Sequence, residues 1–215
     1  MAYIGKGSQS QVLTVNAGLA EWQDSTGGIG VTVAQDGSIG ADFSSLVAAV
    51  AAGNRIITVI GDVVESADVG VLASGLNIRV TRGSDINMAA NSFVFSDDSN
   101  LEVFGNGAII FTAGATHVLF ESAGNIGRTT VDGMTFNNGN TNTTLADGSG
   151  CVFSNCKFTG ETKMDGEGNK IAASTLHNDL IVSTGSINFS IDGSTVYGSV
   201  VDSGVGTVMS NIITG

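Results

Sequence analysis

Val131-Asp132-Gly133-Met134-Thr135-Phe136-Asn137-Asn138 is followed by Val152-Phe153-Ser154-Asn155-Cys156-Lys157-Phe158-Thr159, and the two stretches read alike. Placing Phe136 over Phe158 aligns them and sets the length of one repeat unit. Both phrases return near the C-terminus. Ile191-Asp192-Gly193-Ser194-Thr195-Val196-Tyr197 repeats the first, and Val208-Met209-Ser210-Asn211-Ile212 repeats the second. Degenerate repetition at about 20 residues per unit, built from short apolar strands, is the pattern of a β-solenoid.

The same texture extends upstream. Arg55–Ile60, Leu76–Val80, Phe93–Phe95, Leu101–Phe104, Ala108–Phe111 and His117–Phe120 read as strands, separated almost entirely by Gly, Asn, Asp and Ser. Alternating apolar residues give each strand one inward face. At roughly 20–22 residues per coil, residues 55–215 hold about seven coils. The chain stops within a repeat phrase at Ile212-Ile213-Thr214-Gly215. Because solenoids need covered ends, sister chains or another protein are expected there.

Ahead of the coils, Ile29–Ala34 reads as a strand and Gln35-Asp36-Gly37-Ser38 as a turn. A helix is expected at about 42–52, with Asp42 as N-cap and Phe43, Leu46, Val47 and Val50 along one face. Such a helix can cover the apolar interior and free strand edges of the first coil. Residues 1–27 are read as a separate attachment segment and residues 28–215 as the solenoid domain. Within the first, Gln11–Val15 and Ala20–Gln23 suggest a hairpin around Asn16-Ala17-Gly18. A hairpin alone is marginal, so it is expected to anchor on a partner surface through Val12, Leu13, Val15 and Trp22.

Composition bounds the rest. The chain has 215 residues with 31 glycines, no proline, 13% charged and 42% hydrophobic residues. That is too apolar for disorder and rich in turn formers. The net charge of -12 comes from 20 acids against 8 scattered bases; with no basic stripe, nucleic-acid binding is set aside. No apolar run reaches the length of a membrane span, and Met1–Lys6 lacks the features of a secretory signal. Synthesis and folding in the cytoplasm are expected. Cys151 and Cys156 read as small buried hydrophobes.

Val31-Thr32-Val33-Ala34-Gln35-Asp36-Gly37-Ser38, then Asp42-Phe43-Ser44-Ser45-Leu46 and Ile56-Ile57-Thr58-Val59, resemble the opening of pectin-lyase-like right-handed parallel β-helices. Asp132–Phe136 and Ser154–Phe158 resemble their coil repeats. Tyr3-Ile4-Gly5, Ser10–Thr14 and Glu21-Trp22 are similar to virion-proximal segments of tailed-bacteriophage fibre and spike proteins. Together the resemblances imply an all-β, single-stranded parallel β-helix with a short N-terminal capping helix. They also imply a place in the virion, with assembly in the host cytoplasm.

Pectin-lyase-like enzymes use carboxylate pairs, or Ca²⁺-binding acids with an arginine base, on one lateral face. Asp97-Asp98, with Glu102 nearby, is the adjacent acidic pair here and reads as a solvated turn. The polygalacturonase motifs Asn-Thr-Asp, Gly-His-Gly and Arg-Ile-Lys do not occur in the sequence, nor does the pectin methylesterase motif Asp-Phe-Ile-Phe-Gly. His117 and His177 fall several coils apart without consistent acidic neighbours. Asp165, Glu167 and Asn169 alternate in a Gly-containing loop compatible with Ca²⁺, but the spacing is not that of an EF-hand and no metal is expected. Asn137, Asn138, Asn155 and Asn211 are candidates for stacked amide ladders. The expected function is a non-enzymatic phage fibre, spike or head-decoration subunit forming a trimeric rod. It would join other virion proteins through its N-terminal segment and touch a host-surface glycan or protein. No cofactor is expected, and a glycan-cleaving tailspike or lyase is the alternative.

Overall fold

Each repeat phrase bends at one residue. Gly133, Asn155, Ala173 and Gly193 follow the register-matched residues Asp132, Ser154, Ala172 and Asp192, and all four have positive φ, at 75°, 53°, 47° and 58°. A left-handed residue turns the chain sharply, and Gly, then Asn, adopt it most readily. The strand before the bend enters one sheet and the strand after it enters the next. This is how a phrase such as Asp132-Gly133-Met134-Thr135-Phe136 becomes a corner.

The computed structural model describes residues 11–16, 19–24, 30–37, 40–95, 99–111, 118–121, 128–138, 144–210 and 213–214; for 11–16, 19–24, 138 and 213–214 it describes the backbone alone. An antiparallel hairpin pairs β1 (Gln11–Asn16) with β2 (Leu19–Asp24), matching Leu13 to Trp22. Then come β3 (Val31–Val33) and α1 (Leu46–Ala51).

Seven coils of three strands follow. The first holds β4 (Ile56–Val59), β5 (Val63–Val64) and β6 (Val69–Val71), and the second β7 (Leu76–Val80), β8 (Asp85–Ala89) and β9 (Phe93–Phe95). The third holds β10 (Asn100–Gly105), β11 (Ala108–Phe111) and β12 (Val118–Glu121), and the fourth β13 (Arg128–Asp132), β14 (Thr135–Asn138) and β15 (Thr144–Ala146). The fifth holds β16 (Val152–Ser154), β17 (Lys157–Phe158) and β18 (Thr162–Met164). The sixth holds β19 (Lys170–Ala172), β20 (Thr175–Leu176) and β21 (Leu180–Val182). The seventh holds β22 (Ser190–Asp192), β23 (Thr195–Val196) and β24 (Val200–Asp202), and β25 (Val208–Ser210) with β26 (Ile213–Thr214) opens an eighth.

Every coil pairs in parallel with the next. The first strands form a nine-stranded sheet that includes β3, the second strands an eight-stranded sheet and the third strands a seven-stranded sheet. The chain is an all-β parallel β-solenoid with almost no helix. Phe136 does pair with Phe158. The longer-range repeats are also observed, since Val131, Phe153, Ile171 and Ile191 occupy one column.

Alternation delivers the core. Ile57, Ile78, Val103, Val131, Phe153, Ile171 and Ile191 lie in register on the nine-stranded sheet and are all buried. Between the sheets, Phe93 stacks on Phe120 at 5.4 Å and Phe136 on Phe158 at 5.0 Å, and Phe153 packs against Phe120, Phe136 and Phe158. Each such ring contributes about 1.5–3 kcal/mol by leaving water.

The helix starts later than the sequence suggests. Ser45, and not Asp42, is its N-cap, with Ser45 Oγ accepting the Ala48 N–H at 3.1 Å. Asp42 is engaged elsewhere. Its carboxylate accepts the Thr32 N–H at 2.7 Å and the Thr32 hydroxyl at 2.9 Å. Phe43 forms a parallel bridge to Val33. Residues 42–43 therefore extend along β3, and only then can the chain coil into α1, whose Leu46, Ala49 and Val50 are buried.

Candidate functional site

Exposed large hydrophobics gather from the corner before the seventh coil onward, although Ile56, Val64 and Phe104 in the first three coils are exposed too. Ile187, Tyr197, Val201, Val205, Val208 and Met209 are all exposed large hydrophobics, with Val205 at 64%. Register explains part of this. Met209 continues the buried column of Ile171 and Ile191, yet it is 40% exposed because no described strand stacks beyond it. Val205 likewise continues a corner column from Ile187 through a parallel bridge. The free edges of the three sheets here are β24, β25 and β26.

Polar residues shape this end. Asp202 holds the place that Met164 and Val182 hold in the coils below. Its Oδ1 accepts the Gly204 N–H at 3.0 Å and the Thr207 hydroxyl at 2.9 Å, pinning the turn into β25. Ser210 donates to Asp192 Oδ1 at 2.8 Å. On the side of the solenoid, His177 and Tyr197 stack at 5.3 Å, with their rings 15° from parallel.

At the opposite end, α1 lies beside β6 and is tied to the first coil by hydrogen bonds. Glu65 is 1% exposed, and its carboxylate accepts the N–H groups of Leu46 at 2.7 Å and Val47 at 3.2 Å, the first turn of α1. Burial pushes its pKa up, and these two hydrogen bonds pull against that shift. The alternation Val63 buried, Val64 exposed, Glu65 buried places an acid on the inward side of β5. That inward acid is the signal in the sequence that could have singled out Glu65, which composition and motifs alone do not.

Val12, Leu13, Val15 and Trp22, expected from the sequence to form an anchor, lie on the β1–β2 hairpin, and their side chains fall outside the described residues, as do Asp97, Asp98 and His117. Glu102 is exposed and accepts a hydrogen bond from the Asn77 amide at 2.6 Å. The loop of Asp165, Glu167 and Asn169 serves the corner. Asn169 is fully buried, with its Oδ1 accepting the Cys151 N–H at 2.8 Å, and Asp165 Oδ1 accepts the Gly166 N–H at 2.8 Å. Among the described residues no three His, Cys, Asp or Glu side chains come together as a metal site.

The amide ladders do not form among the described residues. Asn155 instead donates to Asp132 Oδ1 at 2.7 Å, and Asn137 Oδ1 accepts from the Thr159 hydroxyl at 3.3 Å. Asn155 is matched in neighbouring coils by Gly133 and Ala173, so no amide lies above or below it. Asn211 and the side chain of Asn138 are outside the described residues. Both cysteines are free and buried. Burial raises the Cys151 thiol and pushes Cys156 up to about 12.

No protein-family model, curated protein or solved structure matches this chain.

Proposed function

We propose that the protein is a non-enzymatic structural subunit of a bacteriophage virion, of the fibre, spike or head-decoration kind. The solenoid acts as a stiff rod of the pectin-lyase-like, right-handed type, capped at its N-terminal end by α1. The β1–β2 hairpin attaches it to other virion proteins, and three copies assemble together. The observation that supports this reading best is the contrast between the two ends. At the first coil, Glu65 holds the first turn of α1 by two hydrogen bonds, while the last strands display Val201, Val205, Val208 and Met209 to solvent. Contiguous exposed apolar surface of this sort marks an interaction site, and an interface between copies is typically more apolar than other protein surface.

Sedimentation equilibrium tests the assembly. A closed species of about 65 kDa, three times 21.7 kDa, supports the trimer, and a 21.7 kDa species opposes it. Incubation with host polysaccharide followed by a reducing-sugar assay tests the absence of catalysis. Release of reducing ends would replace this reading with that of a depolymerase.

A further inference from the structure

Between Phe104 and Ala108 the third coil turns its corner with Gly105, Asn106 and Gly107. Between their partners Asp132 and Thr135 the fourth coil needs only Gly133 and Met134. The extra residue has no opposite number in the next coil, and an unmatched residue in a ladder leaves its backbone unpaired. Gly107 shows the result. It is buried, and its carbonyl accepts the Thr135 N–H at 3.0 Å, yet no group among the described residues accepts its own N–H. That is unusual, because buried N–H groups are nearly always paired. Asn106, just before it, is exposed, and its carboxamide makes no hydrogen bond among the described residues either.

Elsewhere the fold holds the corresponding N–H. At Asp132-Gly133 and Asp192-Gly193 the glycine N–H donates to a carbonyl of the next coil, Ser154 at 3.1 Å and Ser210 at 3.2 Å. At Asp165-Gly166 it donates to the Asp165 carboxylate at 2.8 Å. After Asn155, the Cys156 N–H donates to Ser174 Oγ at 3.0 Å.

We propose that Asn106-Gly107 is a self-modification site, at which the untied Gly107 nitrogen attacks the Asn106 carboxamide carbon and converts the asparagine to aspartate and isoaspartate. Hydroxide takes the Gly107 amide proton and the nitrogen bonds to Cγ. The Cγ–Nδ2 bond breaks, and Nδ2 leaves as ammonia with a proton from water. Water then opens the cyclic imide. Cleavage between Cγ and the nitrogen gives aspartate, whereas cleavage of the main-chain bond gives isoaspartate, with a backbone longer by one methylene. Glycine favours the attack because no Cβ crowds its nitrogen. Either product adds one negative charge. The isoaspartate form has little room, since a Cβ on Gly105 or Gly107 would run into the carbonyl oxygens of Val80 and Ser84. The longer corner must bulge outward and loosen the hydrogen bond from the Ala108 N–H to the Ser84 carbonyl, 3.2 Å long.

The test is incubation of the folded full chain at mildly alkaline pH, followed by tandem mass spectrometry of its peptides. Asn106 should convert, with isoaspartate resolved from aspartate as a separate chromatographic peak, while Asn155 stays intact. Asp132→Asn sets the same pair of residues at a corner whose glycine N–H is tied, and its amide oxygen can still accept from Asn155. The new amide should react about fivefold to tenfold more slowly than Asn106 in the same molecule, the factor that releasing one hydrogen-bonded N–H takes from a rate. Unfolding that variant in urea should bring the two rates together. Asn106 left intact in the folded chain, while the chain in urea converts there, would overturn the proposal. So would equal rates at the two positions in the folded variant. Should Asp132→Asn not fold, Asp192→Asn makes the same comparison beside Gly193, with the same two outcomes.

Discussion

Ser174 donates its backbone N–H to the hydroxyl oxygen of Ser194, one coil further on, at 3.1 Å, and both residues are buried. The relation repeats one coil earlier, where the Cys156 N–H donates to Ser174 Oγ at 3.0 Å. Each side chain also bonds back to the carbonyl two residues before it: Cys156 Sγ to Ser154, Ser174 Oγ to Ala172, and Ser194 Oγ to Asp192. A column of small polar side chains thus satisfies the corner backbone of successive coils. Ser174→Ala leaves the buried Cys156 N–H without its acceptor. It should cost about 1–3 kcal/mol, read as a lowered denaturation midpoint.

Cys156 fills a serine's role in that column, so Cys156→Ser should fold with little loss. Its thiol is raised from an ordinary 9.0 to about 12 by burial. A raised folded value means that the group's contribution to stability is intact below pH 9.0 and is lost as pH climbs toward 12. Wild-type stability should therefore fall across that window. In Cys156→Ser the part of this fall that belongs to Cys156 should vanish. Melting temperature against pH for the two proteins is the check; identical alkaline slopes would refute the assignment.

The corner residues separate backbone strain from steric conflict. A Cβ on Gly193 would meet nothing nearer than the Ala173 nitrogen at 4.0 Å, so Gly193→Ala should cost only the left-handed penalty of about 1–2 kcal/mol. At Gly133 the same atom would lie 2.5 Å from the Gly105 carbonyl oxygen, so Gly133→Ala should cost more. Ala173 already bears the penalty at φ 47°, and Ala173→Gly should stabilise by up to about 1 kcal/mol. Urea melts should place Ala173→Gly above wild type, Gly193→Ala below it and Gly133→Ala lowest.

These corners were the most legible part of the sequence. Gly133, Asn155 and Gly193 announce left-handed positions, and the apolar residues on either side of them keep the period of the coils. Less could be read where strands are only two or three residues long. Val63–Val64 and Thr175–Leu176 are too short to show alternation, and ladder pairing specifies them, with β8 alone for the first and with β17 and β23 for the second. The helix start at Leu46 was misplaced because Asp42 has a rival use on Thr32, and local spacing cannot reveal such a tertiary competitor. An uncovered end was expected in the last repeat phrase, but that it exposes Val205, Val208 and Met209 could not be read from local pattern. Residues of the same kind are buried in every coil that has another above it.

Glu65 gives a second pH signature, at the other end of the titration range. Burial raises its pKa above the ordinary 4.5, so its contribution to stability is full below that value and declines as pH rises through the raised one. Glu65→Gln loses an acceptor for a buried helix N–H and should be less stable than wild type by about 1–3 kcal/mol at low pH. The gap should narrow as pH rises. A gap that widens toward neutral pH would show that the carboxylate is favoured in its ionised form.

Phe136 packs against rings on both sides along the axis, touching Phe120, Phe153 and Phe158. Phe136→Ala should cost about 3–5 kcal/mol, and Phe136→Leu distinctly less. Equal losses, measured by urea denaturation, would mean that the ring column is not tightly packed.

The stacking of coils underlies every other relationship in the molecule, and one distance tests it. Glu102 and Val208 both face outward and lie in a single column, through Thr130, Val152, Lys170 and Ser190. Five steps of about 4.8 Å separate their backbones by about 24 Å. Spin labels on Glu102→Cys and Val208→Cys, diluted with unlabelled protein and read by double electron–electron resonance, should give one narrow distribution near that value, broadened by the label tethers. A distribution centred at twice that distance, or spread without a peak, would contradict the solenoid.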